Sequence, residues 1–264
     1  MPGRAGYGRR VPTPISEILA EADRVLQPGR FEDHCLNGLQ VPGPAEAQRI
    51  ATGVSAGAEL FERAASEGAQ LLLVHHGLFW GSGVRAIDTT LKVRLETLFS
   101  AGIALAAYHL PLDAHADLGN NALLGRALGA ERLEPFGSHR GATIGFLARL
   151  PGGGLAVAEL LSRVTDLTDR EPLVLGDGPE IVSRLAIVSG AGSDYVTEAA
   201  EAGAQALLTG EPSERVTTTA RELGVHVIAA GHYATETLGI KRLGKHLSER
   251  FGLEHVFVDV PNPV

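Results

Sequence analysis

The sequence predicts an α/β protein made of two similar α/β domains with mostly parallel sheets. Three observations lead to this prediction. Apolar, strand-like segments alternate with amphipathic helical segments, an order that is typical of βαβ units and a mostly parallel sheet. A long segment recurs farther along the chain at a constant offset. Polar residues also gather where successive strands end, and open α/β sheets place their functional groups at that edge.

The first part of the chain begins with a helix and then alternates. Apolar residues at helical spacing predict a helix at 15–26, and Asn37-Gly38 marks a turn in the loop that follows. Beyond that loop we predict strands at 49–54, 69–74 and 103–108, and helices at 58–68, 90–102 and 120–130. Gly68 and Gly102 close the first two of these helices, because glycine tolerates the left-handed conformation at a helix end.

The alternation resumes after residue 130. We predict strands at 142–150, 184–190, 204–210, 225–231 and 253–260, and helices at 154–164, 195–203, 213–224 and 234–252. We assign residues 1–13 to a flexible tail, residues 14–130 with 231–264 to the first α/β domain, and residues 131–230 to the second.

The repeat supports two similar halves. Residues 49–76 align with residues 184–211 without a gap, at an offset of 135, and 11 of the 28 positions are identical, including the run Gly-Ala-Gln. Similar Ala-rich helices share some identities by chance, but an ungapped strand–helix–strand length favours internal duplication.

Composition narrows the class of function. The 264 residues carry a net charge of −8, with 44% hydrophobic and 20% charged residues, which allows a sizeable core and disfavours general binding to nucleic acid. No apolar stretch has the roughly 18 residues of a membrane span. The single cysteine, Cys35, permits no internal disulfide and suits the reducing cytoplasm.

Histidines and acids follow the predicted strands. His75 and His76 end one strand, whereas the repeat has Gly210 and Glu211 at the same positions, so the fold itself does not require the two histidines. In addition, each half carries His-x-x-x-carboxylate after its next strand. These pairs are His109 with Asp113 and His232 with Glu236.

The last pair has a physical reason to bind a metal ion. Glu236 begins the apolar stripe Ile240, Leu243 and Leu247 of a predicted helix and should therefore face the core. A carboxylate there is costly unless it is paired, although its position in the first helical turn favours the ionised form. Pro111 interrupts regular helix between His109 and Asp113, so that spacing is a looser argument.

A metal site is therefore predicted at these strand ends, in the cleft between the two halves. Nitrogen and carboxylate ligands suit Zn²⁺, Fe²⁺, Mn²⁺, Co²⁺ or Ni²⁺ without choosing among them. Three imidazoles and two carboxylates exceed what one tetrahedral ion takes, so two ions bridged by a carboxylate is the economical arrangement. His115 lies near Asp113 and is a candidate neighbour of the site, while His34 and His139 are expected to be ordinary. Glu211 is either a pocket residue or part of a solvated loop.

Several stretches together resemble one family. They are NGLQVPG, LLVHHGLFW, YHLPLDAHADLGNNALL, LTGEPSE and AAGHYATETLGI. In this order they resemble the NIF-three-like family, whose members are named GTP cyclohydrolase 1 type 2 homologues or dinuclear metal centre proteins. The resemblance runs from about residue 14 to the final VDVPNP and is greatest to the short bacterial branch. Near the start, DHCLNGLQ departs from the family's Asp-Asn-x-Gly-Leu-Gln pattern without touching a ligand.

The resemblance implies a specific site and assembly. It implies a two-domain fold, a toroidal homohexamer built as a trimer of dimers, and two divalent ions. It places the metal ligands at His75, His76, Asp113, His232 and Glu236, with Glu236 bridging, and leaves His109 beside the ions.

Three functions are compatible with these features. The first is a metal-dependent hydrolase acting on a nucleotide or purine-like small molecule, with His109 or Glu211 moving protons. The second is a metal-binding or metal-delivery protein without turnover. The third is a ring-shaped scaffold for nucleic acid or protein, which the acidic charge disfavours.

Overall fold

A computed structural model describes residues 11–81 and 86–264, so most of the predicted tail lies outside the described residues. The helices are α1 Ile15–Leu26, α2 Ala58–Ser66, α3 Thr89–Ala101, α4 Leu110–Asp113, α5 Asn120–Ala127, α6 Val157–Thr168, α7 Val196–Glu201, α8 Val216–Leu223, α9 His232–Thr235 and α10 Thr237–Phe251. The strands are β1 Thr13–Pro14, β2 Gly38–Val41, β3 Glu46–Ala47, β4 Arg49–Ser55, β5 Leu71–His76, β6 Ala104–Ala107, β7 Arg132–His139, β8 Ala142–Arg149, β9 Leu155–Ala156, β10 Leu173–Leu175, β11 Ile181–Val182, β12 Arg184–Ile187, β13 Ala206–Thr209, β14 His226–Ala229 and β15 Glu254–Phe257.

Two main sheets form the molecule, and the α/β prediction is confirmed. The first has the order β15-β4-β5-β6-β2, in which every neighbouring pair is parallel except β2 with β6. The second has the order β10-β14-β13-β12-β8-β7, with parallel pairing at its centre and antiparallel pairing toward both edges. The predicted domain boundaries at 130/131 and 230/231 stay a prediction, with which the pairing of β15 to the first sheet agrees.

The cores explain why these helices form where they do. Each sheet is covered on both faces by apolar clusters, which accounts for strands that are apolar throughout, without alternation. On α10, the predicted stripe of Ile240, Leu243 and Leu247 is fully buried against the first sheet. Within the described residues, no helix combines the length and apolar character that crossing a membrane requires.

The two repeat segments adopt matching local structure. Ile50 pairs with Leu71 in the first half, and the residues 135 positions later, Leu185 and Ala206, pair in the second. The glutamine of the repeated Gly-Ala-Gln run has the same role in both halves, since its Oε1 accepts from the two backbone N–H groups that open the preceding strand. Both observations are expected if the halves arose by duplication.

Some elements differ from the prediction. Residues 132–139 form the edge strand β7, which was not predicted because Pro135 demotes a strand pattern. Gly38–Val41, predicted as loop, pairs with β6. The helix predicted over 234–252 is broken at Glu236, whose backbone (φ −115°, ψ 7°) separates α9 from α10.

Candidate metal centre

The carboxyl ends of β5 and β6 in the first sheet and of β14 in the second bring the five predicted ligands together. β5 ends in His75 and His76, and Asp113 ends α4, which follows β6. His232 begins α9, and Glu236 lies at the junction of α9 with α10. Because parallel strands deliver their carboxyl ends to one edge of a sheet, residues distant in sequence meet there.

The Glu236 carboxylate lies at the middle of the cluster. Its Oε2 is 3.1 Å from His76 Nε2 and 3.2 Å from His232 Nε2, while its Oε1 is 3.6 Å from His75 Nε2. His75 Nε2 is also 3.4 Å from Asp113 Oδ2. Three groups of possible ligand atoms result, His76–His232–Glu236, His75–Asp113–Glu236 and His75–His76–His109, and the first two share only the Glu236 carboxylate.

Four imidazoles are oriented by the same device, in which Nδ1 is held from outside the cluster. The outer contacts are His75 Nδ1 with the Tyr108 carbonyl at 3.0 Å, His76 Nδ1 with Ser55 Oγ at 3.0 Å, His109 Nδ1 with Asp33 Oδ1 at 2.8 Å and His232 Nδ1 with Glu211 Oε1 at 3.3 Å. Metal-binding histidines commonly hold their second nitrogen in this way, which fixes the ring and its tautomer.

The inner atoms are mismatched without a cation. The Tyr108 carbonyl can only accept, so Nδ1 of His75 must carry the proton and a neutral ring leaves a lone pair on Nε2. That lone pair faces carboxylate oxygens, which also accept. His75 Nε2 and Glu236 Oε2 are both buried without a hydrogen-bond partner. A proton or a metal ion between them removes the conflict, so the donor set fits a divalent ion.

The pKa shifts follow the same geometry. Burial acts to lower the pKa of His75, but the carboxylates of Asp113 and Glu236 overcome it and raise that pKa well above its ordinary value. Burial likewise opposes the rise at His232, whose pKa reaches about 9 because of Glu236 and Glu211. Burial dominates at His76 and lowers its pKa. The surrounding imidazoles hold the pKa of Glu236 well below its usual range despite burial.

A loop that the sequence left unassigned supports His109. Burial acts to raise the pKa of Asp33, but the hydrogen bond and charge of His109 outweigh it and the pKa falls to about 2. The same carboxylate also accepts from the Cys35 and Leu110 backbone N–H groups and from the Asn37 side chain, each at 2.9 Å. With Nδ1 held there, Nε2 is the free nitrogen of His109. One of its ring nitrogens lies within 4.8 Å of ligand atoms of His75 and His76.

Buried side chains not anticipated from sequence support Asp113. Its Oδ1 accepts from Asn120 Nδ2 at 2.8 Å and from Ser189 Oγ at 3.2 Å. The neighbouring Asn121 donates to the Ile144 carbonyl and accepts from the Ser189 N–H, both at 2.7 Å. These contacts link α5 to the second sheet. The sequence shows only two adjacent asparagines here, and nothing in it predicts that their amides are buried.

Gly190 allows the close approach of the cluster to the second sheet. Its φ is +59°, and a Cβ there would lie 2.3 Å from Glu236 Oε1 and 2.9 Å from His232 Nε2. Any other residue would therefore meet two candidate ligands and also adopt a left-handed conformation that favours glycine.

A cavity of about 330 Å³ opens onto the cluster and lies between the two sheets. The first half contributes candidate ligands together with Trp80 and His109, and the second half contributes an opposite wall that includes His139, Val188 and Tyr195. His139 was expected to be ordinary, but the structure places it in this wall, with a buried Nε2 that lacks a partner. Nothing in its sequence spacing indicated that position.

The structure also corrects the proposed equivalence of the two His-x-x-x-carboxylate pairs. The strand ladders make Ala107 equivalent to Ala229. His109 thus corresponds to Gly231, one residue before His232. His109 contacts Asp33 rather than Asp113, so only the pair of His232 with Glu236 comes together as predicted.

Other candidates have local roles. Glu211 contacts His232 and is not simply part of a solvated loop. His115 accepts from two backbone N–H groups of its own turn, at 3.0 Å each, and lies in none of the ligand groups. His34 contacts Arg140, and Cys35 is buried as a free thiol.

Several known proteins are similar to this chain in sequence and in fold. A GTP cyclohydrolase 1 type 2 homolog of Allochromatium vinosum is 43% identical over 254 residues, covering 96% of this chain and 98% of its own length. That of Pseudomonas aeruginosa is 42% identical over 252 residues, covering 94% and 98%. The crystal structure of TTHA1606 from Thermus thermophilus superposes with a TM-score of 0.88 at 39% identity, covering 96% of this chain and 100% of its own.

The sequence signature of Duf34/NIF3 (NGG1p interacting factor 3) matches residues 13–263, nearly the whole chain. Together with relatives at about 40% identity over almost their full length, this match confirms the resemblance noted from the motifs. The chain belongs to the Duf34/NIF3 family.

Proposed function

We propose that the protein binds two divalent metal ions bridged by Glu236 and uses them to hydrolyse a nucleotide or purine-like small molecule. The observation that carries the proposal is the sharing of one buried carboxylate by two ligand groups, His75 with Asp113 and His76 with His232. The relatives' name, GTP cyclohydrolase 1 type 2 homolog, supports the choice of substrate class.

The five ligands would hold the two ions in two groups. His75 and Asp113 would hold one ion, and His76 with His232 would hold the other, with Glu236 common to both. When bound there, divalent ions would supply an activated water and polarise the bond under attack. Their identity among Zn²⁺, Fe²⁺, Mn²⁺, Co²⁺ and Ni²⁺ is not set by nitrogen and oxygen ligands.

Two neighbouring residues would complete the site. Asp33 holds Nδ1 of His109, and one ring nitrogen of His109 lies within 4.8 Å of ligand atoms of His75 and His76, so His109 is suited to moving a proton between substrate and solvent through Nε2. Glu211 contacts the outer nitrogen of His232, which suits it to orienting that ligand rather than to proton transfer. Trp80 and Tyr195 line the cavity and offer flat apolar surfaces to a heterocyclic ring.

The test is an assay of the purified protein, loaded with one defined metal at a time, against a panel of nucleotides and related metabolites. We expect product formation that depends on the metal and that Glu236→Gln abolishes. Full metal content without turnover on any substrate would contradict the hydrolase and favour metal delivery. A variant without metal that retains activity would show that the centre is not the catalyst.

Assembly and location are part of the proposal. From the family resemblance we expect a toroidal homohexamer, which the native mass in solution tests. The single cysteine, a free thiol, suits the cytoplasm, and fractionation of the source cells tests that location.

A further inference from the structure

Three arginines lie side by side across the second sheet, far from the metal centre along its strands. Arg132 pairs with Arg149 between β7 and β8, and Arg149 pairs with Arg184 between β8 and β12. Directly paired residues share one face of a sheet, with Cβ atoms about 4.5–5.5 Å apart, and like charges in such positions are destabilising. The row lies at the amino end of β12, whereas Gly190 follows the carboxyl end of β12 and contacts the metal centre.

The first half of the chain shows how such a position can be neutralised. Arg49 is the repeat equivalent of Arg184 and pairs with Glu254 of the neighbouring strand. Arg49 Nε donates to Glu254 Oε2 at 2.7 Å. In the second half, the neighbouring strand presents Arg149 where the first half presents an acid. The same fold thus pairs one arginine with a carboxylate and the other with a second cation.

Little protein charge offsets the row. Arg132 Nε lies 3.1 Å from Glu134 Oε1. Over residues 11–81 and 86–264, the structure gives neither Arg149 nor Arg184 a carboxylate within ion-pair distance or a hydrogen bond from its guanidinium. Three positive charges and one negative charge leave a local charge of about +2, on a chain whose net charge is −8.

The row also borders a cavity. A concavity of about 500 Å³ is lined by all three arginines, with Glu134, Ser183 and Gly153 at its edges. This volume lies in the range of small-molecule sites. The guanidinium fork matches the oxygen geometry of phosphate and donates two parallel hydrogen bonds to it. A phosphate dianion would offset the local charge and use more of the available donors than a carboxylate can.

We propose that this cavity binds the phosphate group of a small phosphorylated molecule, at a site separate from the metal centre. Arg149 is central because it adjoins both other arginines. The proposal does not depend on the function proposed for the metal centre, since the two sites lie at opposite ends of β12.

The test follows the melting temperature of the full-length protein during titration with inorganic phosphate at constant ionic strength. A ligand that binds only the folded state raises Tm saturably, and the curve yields Kd. We expect Arg149→Gln to weaken binding and raise Kd about tenfold or more, which corresponds to ~1.4 kcal/mol. A single hydrogen bond to a charged group contributes about that much. The control Arg242→Gln removes an exposed positive charge from α10 and should leave Kd unchanged.

A second control separates this site from the metal ions, to which phosphate also binds. Glu236→Gln should retain phosphate binding at the arginine row. The proposal is overturned if phosphate gives no saturable shift, if Arg149→Gln binds as wild type does, or if only Glu236→Gln abolishes binding. A change of oligomeric mass in Arg149→Gln would also overturn the proposal. The arginines would then contact an acidic surface of another copy of the chain and not a phosphate.

Discussion

Replacing Glu236 with Gln tests the shared carboxylate at the centre of the proposed site. The change keeps the size of the side chain and removes its charge. The His76–His232 group would lose its only carboxylate, whereas His75 would keep Asp113. We therefore expect the His76–His232 group to lose its ion and the His75–Asp113 group to bind its ion more weakly.

The size of the effect follows from linkage. An ion that binds only the folded protein adds about 2.7 kcal/mol to the free energy of unfolding when its concentration is 100 times Kd. Two sites add about 5.4 kcal/mol, which at roughly 2–4 °C per kcal/mol raises Tm by about 11–22 °C. The Glu236→Gln variant keeps at most one site, so metal should raise its Tm by no more than about 5–11 °C.

The assay compares Tm with chelator and with added metal, alongside elemental analysis of the bound metal. His139→Ala is the matched control, because His139 lines the same cavity but belongs to none of the ligand groups. It should match wild type in metal content and in the Tm increment. Equal metal content and equal increments in wild type and Glu236→Gln would refute the bridging role.

Three further predictions test the surroundings of the cluster. Glu211→Ala should weaken one metal site about 10–100-fold, measured by competition with a chelator, because it leaves the outer nitrogen of His232 without its acceptor. Asp33 has a folded-state pKa of about 2 against an ordinary 3.8, so its contribution of about 2 kcal/mol is present above about pH 4 and lost as the pH falls toward 2. Asp33→Asn should therefore reduce the pH dependence of the free energy of unfolding over that range, measured by urea unfolding. An unchanged pH dependence would contradict the low pKa of Asp33. Gly190→Ala should cost about 1–3 kcal/mol and lower metal content, whereas Gly102→Ala, with φ +63° and open space around it, should cost stability alone.

The sequence located the candidate ligands because strand topology constrains them. Parallel strands deliver residues such as His75 and Asp113 to one edge whatever the details of packing. The apolar stripe of α10 likewise fixed the inward direction of Glu236, and its burial bears this out. Both inferences used periodicity and order along the chain, which local sequence carries.

Contacts between residues far apart in the chain could not be predicted from the sequence in the same way. Asp33 contacts His109 across 76 positions of sequence, through a loop without periodicity. His139 reaches the cavity because β7 forms a hairpin with β8, and Pro135 obscured that strand. The row from Arg132 to Arg184 depends on the register of three strands, which no single segment encodes.

The two sides of the 330 Å³ cavity have different roles, because one holds the candidate metal ligands and the other faces them. The candidate ligands come from the carboxyl edge of the first sheet and from α9 and its junction with α10, which follow β14, while Val188 and Tyr195 of the facing wall follow β12 of the second sheet. Substitutions of Val188 or Tyr195, unlike those of Ser189 or Gly190, can therefore alter which molecules fit without touching a candidate ligand. The molecule that fits this cavity can thus change in evolution while the ligand cluster stays the same.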